Sequence, residues 1–132
     1  MSLLQFLSIA IITVSGFMQD GPLTPPFDKI AVAIEKGNAA DLAAHFDKNV
    51  ELTIPGNEGI FSKSQAEQLI KGFFVKFKPE SFKMMHKGGS EKTAMYGIGV
   101  MTSSKGKFRL YIFVKKVNGK YLIQQLKVSN DR

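Results

Sequence analysis

The sequence predicts an α+β domain in which N-terminal helices cover one face of a curved antiparallel sheet. Three observations lead there. Apolar residues recur at helical spacing in several stretches between residues 27 and 77, and at alternate positions through most of the chain beyond it. Short turn sequences punctuate the second half: Gly88-Gly89-Ser90-Glu91, Ser103-Ser104-Lys105-Gly106 and Asn118-Gly119. The 132 residues include no cysteine, so burial alone must hold the core; disulfides, thiol catalysis and cysteine-bound metals are excluded.

Phe27, Ile30, Ala31 and Ile34 stand at i, i+3, i+4 and i+7, one stripe of a helix. Pro26 suits its first turn and Gly37 its C′ position. A second, short helix is expected from Ala39, capped by Asn38, with Asp41 complementing the dipole and Leu42, Ala43 and Phe46 on the buried side. Val50, Leu52 and Ile54 alternate with Glu51 and Thr53, a strand ended by Pro55-Gly56. Ile60-Phe61 gives a short extended piece. Ser62 and Gln65 have capping-box spacing and open the longest helix, whose face is Ala66, Leu69, Ile70, Phe73 and Phe77 and which Pro79 ends. Strands follow at about 81–87, 92–102, 107–117 and 120–128.

Residues 1–19 carry no charged side chain. The apolar run Leu3 to Val14 has the length of a signal-peptide core, and Val14-Ser15-Gly16 offers small residues for cleavage. The start lacks the usual Lys or Arg, which leaves an uncleaved anchor at the short limit of a bilayer span, or an N-terminal helix of the fold, as alternatives. Export to the periplasm or beyond the cell is the expectation, with membrane contact only if the segment stays uncleaved. Residues 20–26 then read as a proline- and glycine-rich linker, and 27–132 as the domain.

Charge is uneven. Residues 1–61 hold three lysines against seven acids, and residues 62–132 hold fifteen Lys and Arg against four acids, giving the net +7 of the chain. The cations are dispersed along strands and turns with no run longer than Lys115-Lys116, a solvated, edge-protecting surface and not a nucleic-acid footprint.

Hairpin arithmetic assigns faces. The Asn118-Gly119 turn pairs Val117 with Lys120, which sets Ile112 and Val114 on one face with Tyr121 and Ile123. The apolar phase then changes to Leu126 and Val128, so one extra residue, a β-bulge, is expected at Gln124-Gln125. With four-residue loops at 103–106 and 88–91, the inner face reads Phe82, Met84, His86, Thr93, Met95, Gly97, Gly99, Met101, Phe108, Leu110, Ile112, Tyr121 and Ile123. The opposite face carries Tyr96, Ile98, Val100, Tyr111, Phe113 and Leu122 among lysines and Arg109. A sheet with helices on one side should be mostly polar on the other. An apolar outer face calls for a partner, and a homodimer through Tyr96, Ile98, Tyr111 and Phe113 is the expectation.

Three stretches carry a resemblance: FDKIAVAIEKGNAADLAAHFDKNVELTI, the helix at 64–77, and FVKKVNGKYLIQQL. Together they resemble the nuclear transport factor 2-like superfamily over about residues 27–128, and most closely an uncharacterised subfamily of small secreted bacterial proteins. The resemblance implies a cone-shaped, cystatin-like α+β fold. It also implies that Phe46 is buried and that the residues after it turn the chain into the first strand.

Enzymes of that superfamily place an Asp, His or Tyr inside the cone, where desolvation can raise a carboxylate's pKa. Here the inner sheet face holds no Asp or Glu. His86 is the sharpest candidate base, for an isomerase- or dehydratase-type reaction with Tyr121 or Thr93; the other reading of it is a position at the pocket rim beside the Gly88-Gly89 turn, solvated and inert. The alternative is a non-catalytic binding module whose cone holds a small apolar ligand against Phe82, Met84, His86, Met95, Met101 and Tyr121, or is filled by those side chains. His45 and Asp47 lie two apart at a helix end, a spacing that does not bring side chains together, and are expected to form a structural corner. The two histidines, His45 and His86, lack local ligand spacing, so neither metal nor cofactor is expected.

Overall fold

The computed structural model describes residues 25–131. The expected signal segment, 1–19, and residues 20–24 of the expected linker lie outside the described residues. Helix α1 (Phe27–Glu35) buries Phe27, Ile30, Ala33 and Ile34. Helix α2 (Ala39–Ala43) is capped by Asn38, whose side chain accepts from the Asp41 N–H at 2.9 Å. Strand β1 (Phe46–Ile54) then begins at Phe46, earlier than the alternation from Val50 suggested. A Pro55-Gly56 turn leads to β2 (Asn57–Ser62).

Ser62 forms the full capping box with Gln65 and opens α3 (Lys63–Lys76), which buries Ala66, Ile70, Phe73 and Phe74. Reciprocal capping of this kind contributes about 1 kcal/mol. Strands β3 (Pro79–Ser90), β4 (Ala94–Ser103), β5 (Gly106–Val117) and β6 (Lys120–Asn130) complete the chain. The Asn118-Gly119 hairpin has both residues at positive φ, +51° and +81°, as its two-residue turn demands.

The six strands form one sheet in the order β2-β1-β6-β5-β4-β3. Neighbours run antiparallel except β1 and β6, which run parallel, so the first and last strands meet in the middle. Helix α1 lies on β3 and β4, α3 lies on β1 and β2, and α2 joins the two helices. The core between helices and sheet is aliphatic around Ile30, Leu42, Leu52, Ile70, Leu110 and Leu126, all essentially inaccessible to water. At one end Phe108 of β5 meets Phe73 and Phe77 edge-on, with ring centroids 5.3 and 4.8 Å away. Such pairs add to what burial alone supplies.

Three bulges in the antiparallel ladders shape the sheet, one of them at Glu80 between the Pro79–Ser103 and Ser81–Thr102 pairs. Phe113 pairs with Gln125 and Val114 with Ile123, which leaves Gln124 as the extra residue at the expected place. The third bulge falls at Met85: Met84 pairs with Gly99, but His86 pairs with Ile98. The turn before β4 is also shorter and later than expected, since Ser90 pairs with Ala94 and only residues 91–93 are left between them. Relative to the expected register, Phe82 and Met84 shift by four positions and keep their face. His86 shifts by five and changes face. An odd slip always does this, because side chains alternate with period two.

Candidate functional site

The inner face is occupied by the protein itself. Phe82, Met101 and Tyr121 are buried, and Met84 and Met95 pack partly buried against the same core. Phe82 lies on Gly99 and Met84 on Gly97, so the two glycines admit side chains from β3 where their own are missing. The Tyr121 hydroxyl donates to the Glu91 carbonyl. His86 is the correction among the expected pocket residues: the Met85 bulge places it on the outer face, exposed, across from Ile98. Thr93 is exposed in the β3–β4 turn. Neither supplies a polar group to the interior.

The outer face is built from cross-strand rows. One row runs Ile60, Glu51, Gln125, Phe113, Tyr96, Gly88; the next runs Glu58, Thr53, Lys127, Tyr111, Ile98, His86; the third joins Ser129, Arg109, Val100 and Lys83. Tyr96, Ile98, Val100, Tyr111 and Phe113 thus form one partly covered apolar centre, in which the Tyr96 and Tyr111 rings stack 6.1 Å apart. The acids of the face, Glu51 and Glu58, sit on β1 and β2. Lys83 and His86 sit at the opposite edge on β3, and Lys107 and Lys115 of β5 and Lys127 of β6 are exposed on the same face between them. Arg109 is neutralised by Asp131 at 2.9 Å.

A depression of about 420 Å³ opens where β1 departs from β6, lined by Asn49, Glu51, Ile60, Tyr111, Phe113, Lys115, Gln124 and Gln125. It exists because five residues of β1 span the distance that two positions of β6 cover, from the Phe46–Ile123 pair to the Glu51–Gln125 pair. The bulge lets both consecutive glutamines reach β1: Gln124 donates to Asp47 at 2.9 Å and Gln125 to Glu51 at 2.8 Å. The change of apolar phase signalled the bulge. The two amide–carboxylate links were invisible beforehand because nothing in the sequence announces that β1 lies beside β6.

The His45–Asp47 stretch is a corner. Asp47 accepts from the Lys48 N–H at 2.7 Å and from Gln124, and the His45 carbonyl accepts from the Ile123 N–H at 2.6 Å, which ties the start of β1 to β6. The Gln124 amide first, and the Lys48 N–H second, hold the Asp47 carboxyl below its ordinary pKa. The His45 ring lines a separate depression of about 270 Å³ with Pro26, Ala44, Gly119, Lys120, Tyr121 and Leu122. Partial burial, then the Lys29 ammonium, push the His45 pKa below the ordinary 6.5; Asp41 acts in the opposite sense and Lys63 in the same.

Folded protein therefore protonates at His45 less readily than unfolded chain. The resulting stability is complete above the unfolded value and is lost as pH falls through the folded pKa. Urea midpoints measured between pH 7.5 and 5 will drop toward acid in the parent and drop less in His45→Gln. Equal slopes would assign the change to another group. Asp47 acts in a lower window, below its unfolded value of 3.8.

Among the described residues no three His, Asp or Glu side chains are grouped to hold a metal ion, and no helix is long and apolar enough to cross a membrane. The sequence profile of DUF4783, a domain of unknown function, matches residues 27–129. This chain belongs to the DUF4783 family. Crystal structures of DUF4783 proteins are similar to it: one from Bacteroides uniformis at 28% identity and TM-score 0.75, covering 80% of this chain and 96% of that one, and one from Bacteroides fragilis at 29% and 0.73, covering 78% and 96%. A protein of unknown function with a cystatin-like fold from Nostoc punctiforme is similar in fold alone, at 15% identity and TM-score 0.59, covering 80% of this chain and 85% of that one. No curated protein matches the chain. The DUF4783 domain thus has the nuclear transport factor 2-like, cystatin-like α+β architecture that its three recognisable stretches imply.

Proposed function

We propose that this DUF4783 domain is an exported, non-catalytic interaction module that pairs with a second copy of itself through the outer sheet face. One observation carries the reading: the centre of that face is apolar and only partly covered, while the opposite side of the sheet is packed with the protein's own side chains. Water gains nothing from Tyr96, Ile98, Val100, Tyr111 and Phe113 held together, and a partner that covers them removes the cost. A second copy is the partner proposed because an isologous contact sets the same patch against itself, and the apolar centre lies on β4 and β5, inside the sheet and away from its edge strands. Export rests on the charge-free apolar residues 1–19. Among the described residues an isomerase or dehydratase reading finds no interior base once His86 stands on the outer face.

Native mass spectrometry of the protein as its host delivers it tests all parts together. The expected species is a dimer of processed chains with no added mass. Ile98→Glu, which buries a charge in the contact, will weaken association at least about tenfold, the effect of 1.4 kcal/mol. A parent that stays monomeric at tens of micromolar overturns the reading. A retained small molecule would instead favour ligand binding in the cone.

A further inference from the structure

We infer that the edge strand β2 is a contact surface of its own, and that its occupant is the β2 strand of another copy, paired antiparallel so that two sheets run on into one. The contact lies at the rim of the sheet and does not depend on the outer face.

The two edges of the sheet, β2 and β3, are built differently. An open edge offers unpaired backbone N–H and C=O groups to any extended chain, and proteins blunt it with bulges, proline and lysine. Strand β3 carries all three: bulges at Glu80 and Met85, Pro79 at its start, and exposed Lys83 and Lys87. Strand β2 carries none. Its register with β1 is unbroken from the Asn49–Ser62 pair to the Ile54–Asn57 pair, its one charge is Glu58, and Ile60 within it is 75% exposed.

A second β2 fits this edge best in one register. Glu58, Ile60 and Ser62 stand opposite Thr53, Glu51 and Asn49 on the outer side, while Gly59 and Phe61 stand opposite Leu52 and Val50 on the inner side. Facing residues share a side of the sheet, so the two-fold axis, normal to the sheet, must pass through a residue. An axis at Ile60 sets the two Ile60 side chains together, Phe61 beside Gly59, and each Glu58 opposite Ser62. An axis at Gly59 sets Ile60 against the Glu58 carboxylate, and one at Phe61 pairs only residues 60–62.

The helices agree with the axis at Ile60. Helix α3 lies over both β1 and β2. With strands about 4.8 Å apart, the axis places two copies of α3 side by side, antiparallel and about 10 Å apart, the distance at which helices pack. The flank of α3 on that side is open. Gln65, Leu69, Gly72 and Lys76 recur along it at helical spacing and line depressions of about 410 and 240 Å³ beside Phe61 and the β1–β2 turn. Among the described residues nothing lies within 4 Å of a Cβ built on Gly72. Glycine weakens a helix interior, and the close approach of a second α3 accounts for it there.

Disulfide trapping tests the contact, because the chain has no cysteine of its own. Facing residues of an antiparallel pair have Cα atoms about 5 Å apart, within disulfide range. The control is Val75→Cys, at a position 77% exposed that stands off the open flank. Under mild oxidation Ile60→Cys chains should link into dimers at least about tenfold faster than Val75→Cys chains, because the contact raises the effective thiol concentration. Equal rates overturn the edge contact. An equimolar mixture of Glu58→Cys and Ser62→Cys chains should link to each other; Glu58→Cys linking to itself instead overturns the register. The Ile60→Cys reaction repeated in Ile98→Glu chains separates this contact from the sheet-face pair. The rate should hold there, and a fall to the Val75→Cys rate overturns an edge contact in its own right. A parent that fails to pair through its sheet face, with the Ile60→Cys bond still formed, overturns only the earlier reading.

Discussion

Replacing Phe46 by alanine will lower the unfolding free energy by about 3–5 kcal/mol, a large share of the roughly 5–15 kcal/mol that holds a domain of this size. Phe46 is only 2% exposed. It stands where α2 gives way to β1 and pairs with Ile123 of β6, so its ring fills the seam between a helix, the first strand and the last. Truncation removes that apolar contact and leaves a cavity that strands pinned on both sides can close only in part. In urea the midpoint should fall with the m-value unchanged. A loss under about 1 kcal/mol would show that the seam collapses around the missing ring.

Gly99→Ala should be nearly as damaging for the opposite reason, excess volume. A Cβ at Gly99 would stand 2.3 Å from Cζ of Phe82, 2.7 Å from its Cε1 and 2.8 Å from the Lys83 carbonyl oxygen. The Phe82 ring is buried and cannot swing aside, and the carbonyl belongs to the neighbouring strand's backbone. Overpacking of this kind costs about 1–3 kcal/mol, and the top of that range is expected here. The specificity control is Phe82→Leu in the same chain, which shortens the obstructing group: part of the loss should return. If Phe82→Leu merely adds its own penalty to that of Gly99→Ala, the clash is not the cause.

These two sites differ in how far the sequence reveals them. The pair Gly97 and Gly99 announces a close approach because glycine inside a strand forfeits packing for no other gain. What approaches them follows from the inner-face phase of Phe82 and Met84, which survives a register slip of four. The Gln124 bulge was legible because it sits between apolar residues, Ile123 and Leu126, whose phase visibly changes. The Met85 bulge was not, since Met84 and Met85 are both apolar and no phase break marks the extra residue. That single ambiguity decides where His86 points, and with it the only sequence-level case for an interior base. The parallel union of β1 with β6 was equally hidden: its residues read as ordinary half-buried strands, and the partner lies at the far end of the chain. Glu51, Gln124 and Gln125 meet only because of that union.

The same union has a consequence for how the chain reaches its fold. Phe46 must wait for Ile123, and Leu52 for Leu126, across nearly the whole length of the domain. Before β6 joins, β1 has only β2 beside it and α3 over it, and the sheet stays divided into β2-β1 and β5-β4-β3. Closing so long a loop precedes any reward from the contacts it makes, which slows folding relative to chains built from local contacts. The last strand, inserted between β1 and β5, is thus the step that turns two incomplete sheets into one.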